Sequence, residues 1–452
     1  MSDVGNAELL QTSREAVKNS NAYKRINRLF DEDTFNEIDG LSKSGDHYAE
    51  VVTGFGKIDG CPAYVFAQNA EIDGGAMSKA QASKIKKIYN LAIKTGVPVI
   101  GIYDSIGGRL KEGADMLAAY GEILLGCNNL SGVVPQISLI LGPCIGTSAM
   151  IAANADIIVM SDKAEFTIET NGRNGSADEA AKYGICHIAA ENEETAIDEV
   201  RRLLTVLPSN NLAGAPITNL SATNSLAPLT VESAAADVIA AIADDDTFIE
   251  LGSSFGTSAI TGFAQISGST AGIVSYNGSL DADSCSKAAR FVRFCDAFSL
   301  SVITLADATE FTSLREASKL SNAYSEATTA KVTVITGSAY GSVYIAVAGR
   351  GANTDVTLAW PNAIVSPLAP STAAIFEWSD RLAGSSDPVA DRQKLIEEYK
   401  HTEATPFTAA AAGFIEDIIN PEETRAKIIA NLDMLSSKRV TTLPKKHANI
   451  QL

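Results

Sequence analysis

The chain has 452 residues, of which 46% are hydrophobic and 20% charged, a composition typical of a soluble globular protein of about two or three domains. Its net charge of −18 argues against non-specific binding of nucleic acid or of an anionic membrane surface. No apolar run is long enough to span a bilayer, the first residues do not resemble a signal peptide, and the six cysteines form no CxxC pair. We therefore expect a cytoplasmic protein with reduced thiols and no nucleic-acid partner.

The first half of the sequence predicts strands that alternate with helices. Residues 1–50 are charged and predict helix, apart from an apolar stretch around Phe35. β-branched and aromatic runs at 51–54 and 63–66 flank Asp59-Gly60, which is the pattern of a β-hairpin. The pattern then predicts, in order, helix 78–94, strand 98–103, helix 112–126, strand 136–141, a small-residue helix ending at 153, strand 157–160, a loop at 171–176 and helix 191–206. Such alternation is typical of parallel βαβ crossovers, so we predict an α/β fold.

The second half repeats this order after a linker. Residues 208–230 are rich in Ser, Asn, Thr, Ala and Pro and predict the linker. After it we predict a hairpin, helix 283–298, strand 301–306, helix 316–327, strand 331–336, a glycine turn, a small-residue helix, strand 355–360 and two tail helices at 388–400 and 421–436. The predicted domains are residues 1–220 and 221–452.

Individual motifs also recur between the halves. Residues 54–60 read GFGKIDG and residues 262–268 read GFAQISG. The spacing from Lys84 to Asp104 equals that from Lys287 to Asp307. Residues 120–122 read YGE and residues 324–326 read YSE. A period of roughly 200 residues is too long for a solenoid, and it indicates two homologous domains, which we expect to share a site at their junction.

Two glycine-containing segments are the strongest candidates for chemistry. Residues 142–148 (GPCIGTS) and 337–343 (GSAYGSV) each follow a buried strand and open a helix of small residues. Backbone N–H groups at a helix N-terminus lack intrahelical partners and carry partial positive charge, which suits them to an oxyanion. The alternative is a tight turn in which glycine only allows close packing. The repetition of the segment favours a functional role.

Other polar groups leave two interpretations open. Asp104 and Asp307 each end a strand, where they are either acids or bases of a reaction or hydrogen-bonded turn residues. No histidine neighbours a candidate nucleophile in sequence, and neither HExxH nor GxxxxGK[ST] occurs. Four lysines form a cluster that is either a solvated helix face or a phosphate-binding patch: Lys79, Lys84, Lys86 and Lys87.

Longer motifs identify a family. Residues 104–113 (DSIGGRLKEG), 120–122, 132–138 (GVVPQIS) and 142–144 closely resemble the carboxyltransferase subunits of biotin-dependent acyl-CoA carboxylases and decarboxylases. Residues 286–298 (SKAARFVRFCDAF), 323–328 (AYSEAT), 331–336 (KVTVIT) and 445–450 (KKHANI) agree. The resemblance runs from about residue 23 to residue 452.

The resemblance implies fold, assembly and chemistry. It implies two crotonase-like ββα-superhelix domains in tandem and a homohexamer, a trimer of dimers, with each active site between the first domain of one chain and the second domain of its partner. Acyl-CoA would bind the first domain and biotin the second, and a carboxyl group would pass between biotin N1 and the α-carbon of the thioester. The amides of Gly146 and Thr147 would hold one oxyanion and those of Ser342 and Val343 the other. Further ligand-binding positions implied by the resemblance are Gly107, Gly108, Arg109, Gly341, Tyr344, Ile345, Phe311, Lys84 and Lys87.

This chain departs from the usual family pattern at the same positions. Thr147 replaces a glycine, and Ser342-Val343 replaces Gly-Ala. The loops after Ile168 and Asp307 are shorter than usual. No Met-Lys-Met biotinylation site occurs, so biotin would come on a separate carrier protein.

Three functions stay open at this point. The first is the carboxyltransferase subunit of a short-chain acyl-CoA carboxylase, which would work with a biotin carboxyl carrier protein and a biotin carboxylase. The second is the equivalent subunit of a sodium-pumping methylmalonyl- or malonyl-CoA decarboxylase with a membrane partner subunit. The third is a non-catalytic hexameric scaffold. Because Ile345 is apolar and Val343 is bulkier than alanine, we expect a narrow pocket that favours acetyl and propionyl groups.

Overall fold

Each half of the chain builds its own β-sheet. The computed structural model describes residues 3–45, 47–48, 50–168, 175–218, 224 and 228–450. It divides into Met1–Pro216, here called unit 1, and Ile217–Leu452, called unit 2. The predicted loop at 171–176 and the predicted linker at 208–230 lie partly outside the described residues.

Unit 1 contains seven helices and ten strands among its described residues. The helices are α1 (Asp3–Lys18), α2 (Asn21–Leu29), α3 (Lys79–Thr95), α4 (Asp115–Leu130), α5 (Thr147–Ala152), α6 (Ala177–Lys182) and α7 (Glu193–Val206). The strands are β1 (Asn36–Ile38), β2 (Lys43–Ser44), β3 (His47–Tyr48), β4 (Val51–Ile58), β5 (Cys61–Gln68), β6 (Val99–Ser105), β7 (Gln136–Ile145), β8 (Ile157–Met160), β9 (Glu165–Thr167) and β10 (Ile188–Ala189).

The sheet of unit 1 has the order β1-β4-β5-β6-β7-β8-β10, with β9 added beside β7. The β4–β5 hairpin is antiparallel and turns at Asp59 and Gly60, both with positive φ, as the Asp-Gly signal predicts. The strands from β5 onward are parallel. α3 begins at the N-cap Ser78, whose side chain accepts from the N–H of Gln81, and ends at the left-handed Gly96.

Unit 2 repeats this plan and adds helices at its end. Its helices are α8 (Ala235–Ile242), α9 (Ala282–Ala297), α10 (Leu314–Glu326), α11 (Pro370–Glu377), α12 (Ser379–Ala383), α13 (Pro388–Thr402), α14 (Pro406–Ala411) and α15 (Thr424–Leu435). Its strands are β11 (Ile249–Glu250), β12 (Ala259–Ile266), β13 (Ser269–Leu280), β14 (Ser301–Phe311), β15 (Lys331–Ala339), β16 (Val356–Ala359) and β17 (Asp417–Ile418). The sheet order is β11-β12-β13-β14-β15-β16-β17.

Each unit has its own apolar core. In unit 1, Ile85 and Ile88 of α3 pack with strand residues such as Val99. In unit 2, Ile303 and Val332 on neighbouring strands form the corresponding cluster. The cores hold the strand ends in place, and the loops at those ends carry the candidate site.

Three local predictions are wrong. The sequence predicts helix over residues 1–50, but the second helix ends at Leu29, and strands β1 to β3 follow within residues 36–48. β1 is a strand because it pairs with β4, with Glu37 opposite Gly54. β7 continues to Ile145 instead of turning at residue 142, because β9 pairs with its last residues. The small-residue helix of unit 2 is a π-helix, Tyr344–Ala348. Among the described residues, no helix combines the length and the apolar character that crossing a membrane requires.

Candidate active site

In unit 1, the ends of the central strands bring the loop that contains Gly108 close to the turn at residues 146–148. Ser105 at the end of β6 lies beside Cys144 near the end of β7. The hydroxyl of Tyr120 on α4 is 3.3 Å from Oγ of Ser148, on the first turn of α5. The ring of the same tyrosine covers Gly108, where an added Cβ would come within 3.2 Å of it. Residues 107–108 and residues 146–148 therefore meet at one tyrosine.

The turn into α5 leaves one of the predicted amide donors without a partner. Gly146 has φ of +69°, a conformation that favours glycine. Its own N–H donates to the carbonyl of Thr167 at 2.9 Å. The N–H of Thr147 has no acceptor within the described part of the chain, and its side chain is exposed. Of the predicted pair, Thr147 is the residue with an amide available to a ligand.

Unit 2 contains the same arrangement. Gly341 has φ of +56°, and its N–H donates to the carbonyl of Ser366 at 3.0 Å. The N–H of Val343 donates to the carbonyl of Tyr340 at 3.2 Å. No described residue accepts from the N–H of Ser342, which is exposed. In both units, therefore, a left-handed glycine tied to a distant carbonyl is followed by an unpartnered amide.

The other predicted positions around Gly341 differ in exposure. The side chain of Val343 is fully buried and packs in the core. It therefore does not narrow a surface pocket, contrary to the expectation from the sequence. Ile345 is 61% exposed. Tyr344 is half-buried and donates from its hydroxyl to the carbonyl of Phe414 at 2.5 Å. Phe311 lies half-buried at the end of β14.

Arg109 is enclosed by carboxylates. Its guanidinium donates to Glu50, which is completely buried, and to Asp73 at 2.7 Å. It also donates to Oγ of Ser44 at 2.6 Å, and Glu112 lies 3.8 Å away. Through these hydrogen bonds the Arg109 guanidinium links the segments of unit 1 that contain Ser44, Glu50 and Asp73. Its predicted contact with a ligand would compete with all of them.

The predicted lysine cluster is divided by the fold. Lys84 is 4% exposed and points inward, where its Nζ donates to the carbonyl of Val51 at 2.7 Å. Burial lowers the pKa of Lys84 to about 8. Lys87 and Lys79 stay on the exposed face of α3, paired with Asp39 at 2.7 Å and Asp115 at 3.4 Å. Lys84 therefore belongs neither to a solvated helix face nor to a phosphate-binding surface patch, the two alternatives that the sequence left open.

Both aspartates lie within strands, Asp104 in β6 and Asp307 in β14, so neither ends its strand as predicted, and both are hydrogen-bonded. The carboxylate of Asp104 lies against Gly142, and that of Asp307 lies against Gly337, at positions where an added Cβ would clash. Asp104 is paired with Arg25 at 2.6 Å. Asp307 accepts from the N–H of Ser338 at 2.7 Å. These bonds fix the loops that carry the amide donors.

The described residues of the site offer backbone amides, and neither Cys144 nor Ser148 is an activated nucleophile. Burial raises the pKa of the Cys144 thiol well above its ordinary value, so it stays protonated at neutral pH. Ser148 is 1% exposed and hydrogen-bonded to Tyr120. An arrangement of fixed N–H groups is suited to a reaction in which negative charge develops on an oxygen of the substrate.

Comparison with known proteins identifies the family. Residues 18–450 match the carboxyl transferase domain family. The chain belongs to this family. It is 36% identical to the methylmalonyl-CoA decarboxylase subunit alpha of Veillonella parvula, over 99% of this chain and 96% of that protein. It is 34% identical to the propionyl-CoA carboxylase carboxyltransferase subunit of Haloferax mediterranei, over 95% of this chain and 93% of that protein.

A solved structure agrees with this result. The crystal structure of the transcarboxylase 12S hexamer, with hydrolysed methylmalonyl-CoA bound, matches with a TM-score of 0.92 and 32% identity over 100% of this chain and 99% of that one. This carboxyltransferase thus has the predicted α/β fold of two crotonase-like domains in tandem, and it is a biotin-dependent enzyme acting on CoA thioesters.

The residues present fit biotin and a thioester. Each group offers an acceptor oxygen, and the exposed N–H groups of Thr147 and Ser342 have no acceptor among the described residues. The backbone beside the second donor is closely packed, since a Cβ on Gly341 would come within 3.1 Å of the Pro367 carbonyl. A residue larger than glycine at this position would therefore crowd the Pro367 carbonyl.

Some residues that shape the site were not singled out from the sequence. Thr167 and Ser366, whose carbonyls hold the two glycines, lie 21 and 25 residues further along the chain. Their role depends on backbone position, so no side-chain motif marks them. Tyr120 belongs to a motif that the repeat did mark, but only the fold shows that its hydroxyl meets Ser148.

Proposed function

We propose that this chain is the carboxyltransferase subunit of a biotin-dependent short-chain acyl-CoA carboxylase, with unit 1 on the acyl-CoA side and unit 2 on the biotin side. The carboxyl group would move between biotin and the α-carbon of acetyl- or propionyl-CoA. The observation that carries the proposal is the turn shared by both units, in which the N–H groups of Thr147 and Ser342 have no acceptor in the part of the chain that the structure describes.

The two amides would have separate tasks. When the α-carbon of the thioester becomes a carbanion, negative charge develops on the thioester oxygen, and the N–H of Thr147 would stabilise it. The N–H of Ser342 would hold the ureido oxygen of biotin. When bound, biotin supplies the nitrogen that carries the carboxyl group. Since Gly146 and Gly341 are tied to the carbonyls of Thr167 and Ser366, both donors are oriented before the substrates arrive.

A direct test uses the purified chain with free biotin. Malonyl-CoA or methylmalonyl-CoA labelled in its free carboxyl group is added, and label is followed into biotin. The proposal expects biotin-dependent transfer that Thr147→Pro and Ser342→Pro each reduce. If no label is transferred to free biotin or to a biotinylated carrier protein, the proposed carboxyltransferase activity is refuted. That result would support the non-catalytic scaffold.

We also propose a homohexamer that receives biotin on a separate biotin carboxyl carrier protein, charged by a biotin carboxylase. The support is the crystal structure of transcarboxylase 12S, which is a hexamer assembly. Sedimentation equilibrium of the purified chain tests the assembly. A 47.4 kDa monomer at micromolar concentration would contradict it.

The acyl group is proposed to be short. Ile345, exposed beside the donor turn, offers an apolar surface rather than a charge. One methylene in an apolar pocket changes binding by roughly 1–3 kcal/mol, so acetyl- and propionyl-CoA should differ little in kcat/KM. The exposed Lys79 and Lys87 would meet the CoA phosphates. Comparison of kcat/KM for acetyl-, propionyl-, butyryl- and octanoyl-CoA tests this, and a preference for octanoyl-CoA would contradict it.

A second candidate is the subunit of a decarboxylase, favoured by the 36% identity to the Veillonella methylmalonyl-CoA decarboxylase subunit alpha. The chemistry at the two amides would be the same, and the partner subunits would decide the direction. Affinity purification from the native cell distinguishes the two. Recovery of a biotin carboxylase supports the carboxylase, and recovery of a membrane decarboxylase subunit supports the second candidate.

A further inference from the structure

The hydroxyl of Tyr120 reaches the donor turn of unit 1 from a different helix. Tyr120 is half-buried on α4, and its hydroxyl is 3.3 Å from Oγ of Ser148. Ser148 directly follows Thr147 in the chain and is buried. The contact between the two hydroxyls therefore ties the first turn of α5 to α4.

The corresponding tyrosine of unit 2 has different partners. Tyr324 occupies the place of Tyr120 in the repeated motif, but it is fully buried. Its hydroxyl is 2.9 Å from Oγ1 of Thr304 and 3.1 Å from the hydroxyl of Tyr276. The residue in the place of Ser148 is Val343, which has no hydroxyl. Both units contain the tyrosine, and only in unit 1 does its hydroxyl meet the donor turn.

The ring of Tyr120 rests on a loop that is itself fixed. A Cβ added to Gly108 would lie 3.2 Å from the ring and 3.4 Å from its hydroxyl oxygen. On one side of Gly108, the carbonyl of Gly107 accepts from the N–H of Met77 at 2.7 Å. On the other side, the N–H of Arg109 donates to the carbonyl of Met77 at 2.8 Å. The tyrosine therefore connects a fixed loop to α5.

The two donor turns also differ in how the residue after the donor is held. In unit 2, the N–H of Val343 donates to the carbonyl of Tyr340 at 3.2 Å, which closes the turn behind the donor. The N–H of Ser148 has no acceptor among the described residues, so the turn of unit 1 lacks this bond. The contact of Ser148 with Tyr120 takes its place. The amide of Thr147 is thus followed by a residue that a side chain, and not the local backbone, holds in position.

From this difference we propose that Tyr120 is a positioning residue for the acyl-CoA side of the reaction: through Ser148 it fixes the direction in which the N–H of Thr147 points. This role rests on the proposed function, in which that N–H meets the thioester oxygen. Because burial raises the pKa of Tyr120 above its ordinary value, its hydroxyl stays protonated at neutral pH and the contact persists. A misplacement of about 1 Å in a reacting geometry can reduce the rate by about 100-fold, so a loosened donor should be visible in kcat.

The first test is the kinetics of label transfer to biotin by the purified full chain. Tyr120→Phe removes a single oxygen and should lower kcat at least tenfold with little change in KM, because the donor acts as charge develops in the transition state. Ser148→Ala should have the same effect, and the two changes together should cost no more than the larger single loss. The matched variant Tyr324→Phe removes the corresponding hydroxyl of unit 2 and should leave kcat unchanged.

A second combination tests whether Tyr120 acts through the amide. Thr147→Pro removes the N–H that Tyr120 is proposed to direct, so Tyr120→Phe should have no further effect on kcat in that variant. A full additional loss would show that Tyr120 acts independently of the donor and would overturn the inference. Unchanged kcat in Tyr120→Phe, an equal loss in Tyr324→Phe, or a change confined to KM would also overturn it.

Amide hydrogen exchange measures the same positioning without turnover. The first hydrogen bond of α5 runs from the N–H of Met150 to the carbonyl of Gly146, 3.2 Å long. Tyr120→Phe and Ser148→Ala should each speed exchange in a peptide that contains this helix, while the helix Tyr344–Ala348 of unit 2 should be unaffected. Unchanged exchange at α5 in both variants would overturn the inference. Absence of label transfer in the wild-type chain would instead count against the proposed function alone, and the exchange rates would still decide whether Tyr120 holds α5.

Discussion

Replacement of Thr147 by proline removes one amide hydrogen from the site and little else. Thr147 is the first residue of α5, where proline is well tolerated because its fixed φ suits the helix. The lost N–H makes no hydrogen bond within the described residues, so none is broken in the protein. The preceding residue, Gly146, has no Cβ to clash with the proline ring. The variant should therefore fold with nearly unchanged stability.

The expected effect on catalysis is much larger. Loss of one oxyanion donor typically reduces kcat on the order of 100- to 1000-fold, which corresponds to about 2.7–4 kcal/mol of transition-state stabilisation. KM should change little, because the interaction strengthens only as charge develops on the substrate oxygen. Thr147→Ala keeps the amide and should retain activity within a few-fold. The assay is label transfer to biotin, with thermal denaturation of each variant in parallel.

Two results would refute this reasoning. A folded Thr147→Pro variant with near-normal kcat would show that the amide is not a donor in the reaction. Equal losses in Thr147→Pro and Thr147→Ala would show that the side chain, and not the backbone N–H, is the active group.

Further predictions concern stability. Arg109→Met leaves the buried carboxylate of Glu50 uncompensated, so it should lower the free energy of unfolding by about 3–5 kcal/mol, measured by urea denaturation; a loss below 1 kcal/mol would contradict this. Ser78→Ala removes the N-cap bond to the N–H of Gln81, 3.0 Å long, and should cost about 0.5–2 kcal/mol in the same assay. Because the pKa of Lys84 is lowered to about 8 from 10.5, the unfolded chain binds more protons between these values, and stability should rise with pH there. Lys84→Met should reduce that rise, and an unchanged pH dependence would show that Lys84 does not titrate in this window.

Local signals explain the parts of the fold that the sequence predicts well. The turn at Asp59-Gly60 and the capped helix α3 depend on residues next to them in the chain, and both are confirmed. The α/β order and the tandem repeat follow from the same periodic patterns. The family motifs, which are longer still, identify the carboxyltransferase, and its membership is confirmed.

Long-range contacts explain what the sequence misses. β7 extends to Ile145 because β9, further along the chain, pairs with it. Lys84 belongs to a lysine-rich helix, but it lies on the face of that helix that packs against the core. Composition alone does not distinguish it from Lys87, which lies on the exposed face. Likewise, the amide of Gly146 is occupied by the carbonyl of Thr167, whose approach depends on tertiary structure. The roles assigned to the site residues stay predictions.

The bond from Gly146 to Thr167 also bears on how this protein can vary in length. Thr167 is the last residue of β9, and its neighbours pair with the end of β7. The carbonyl that orients the turn is therefore positioned by the sheet. A change in loop length after β9 should leave the donor turn in place as long as β9 keeps this pairing.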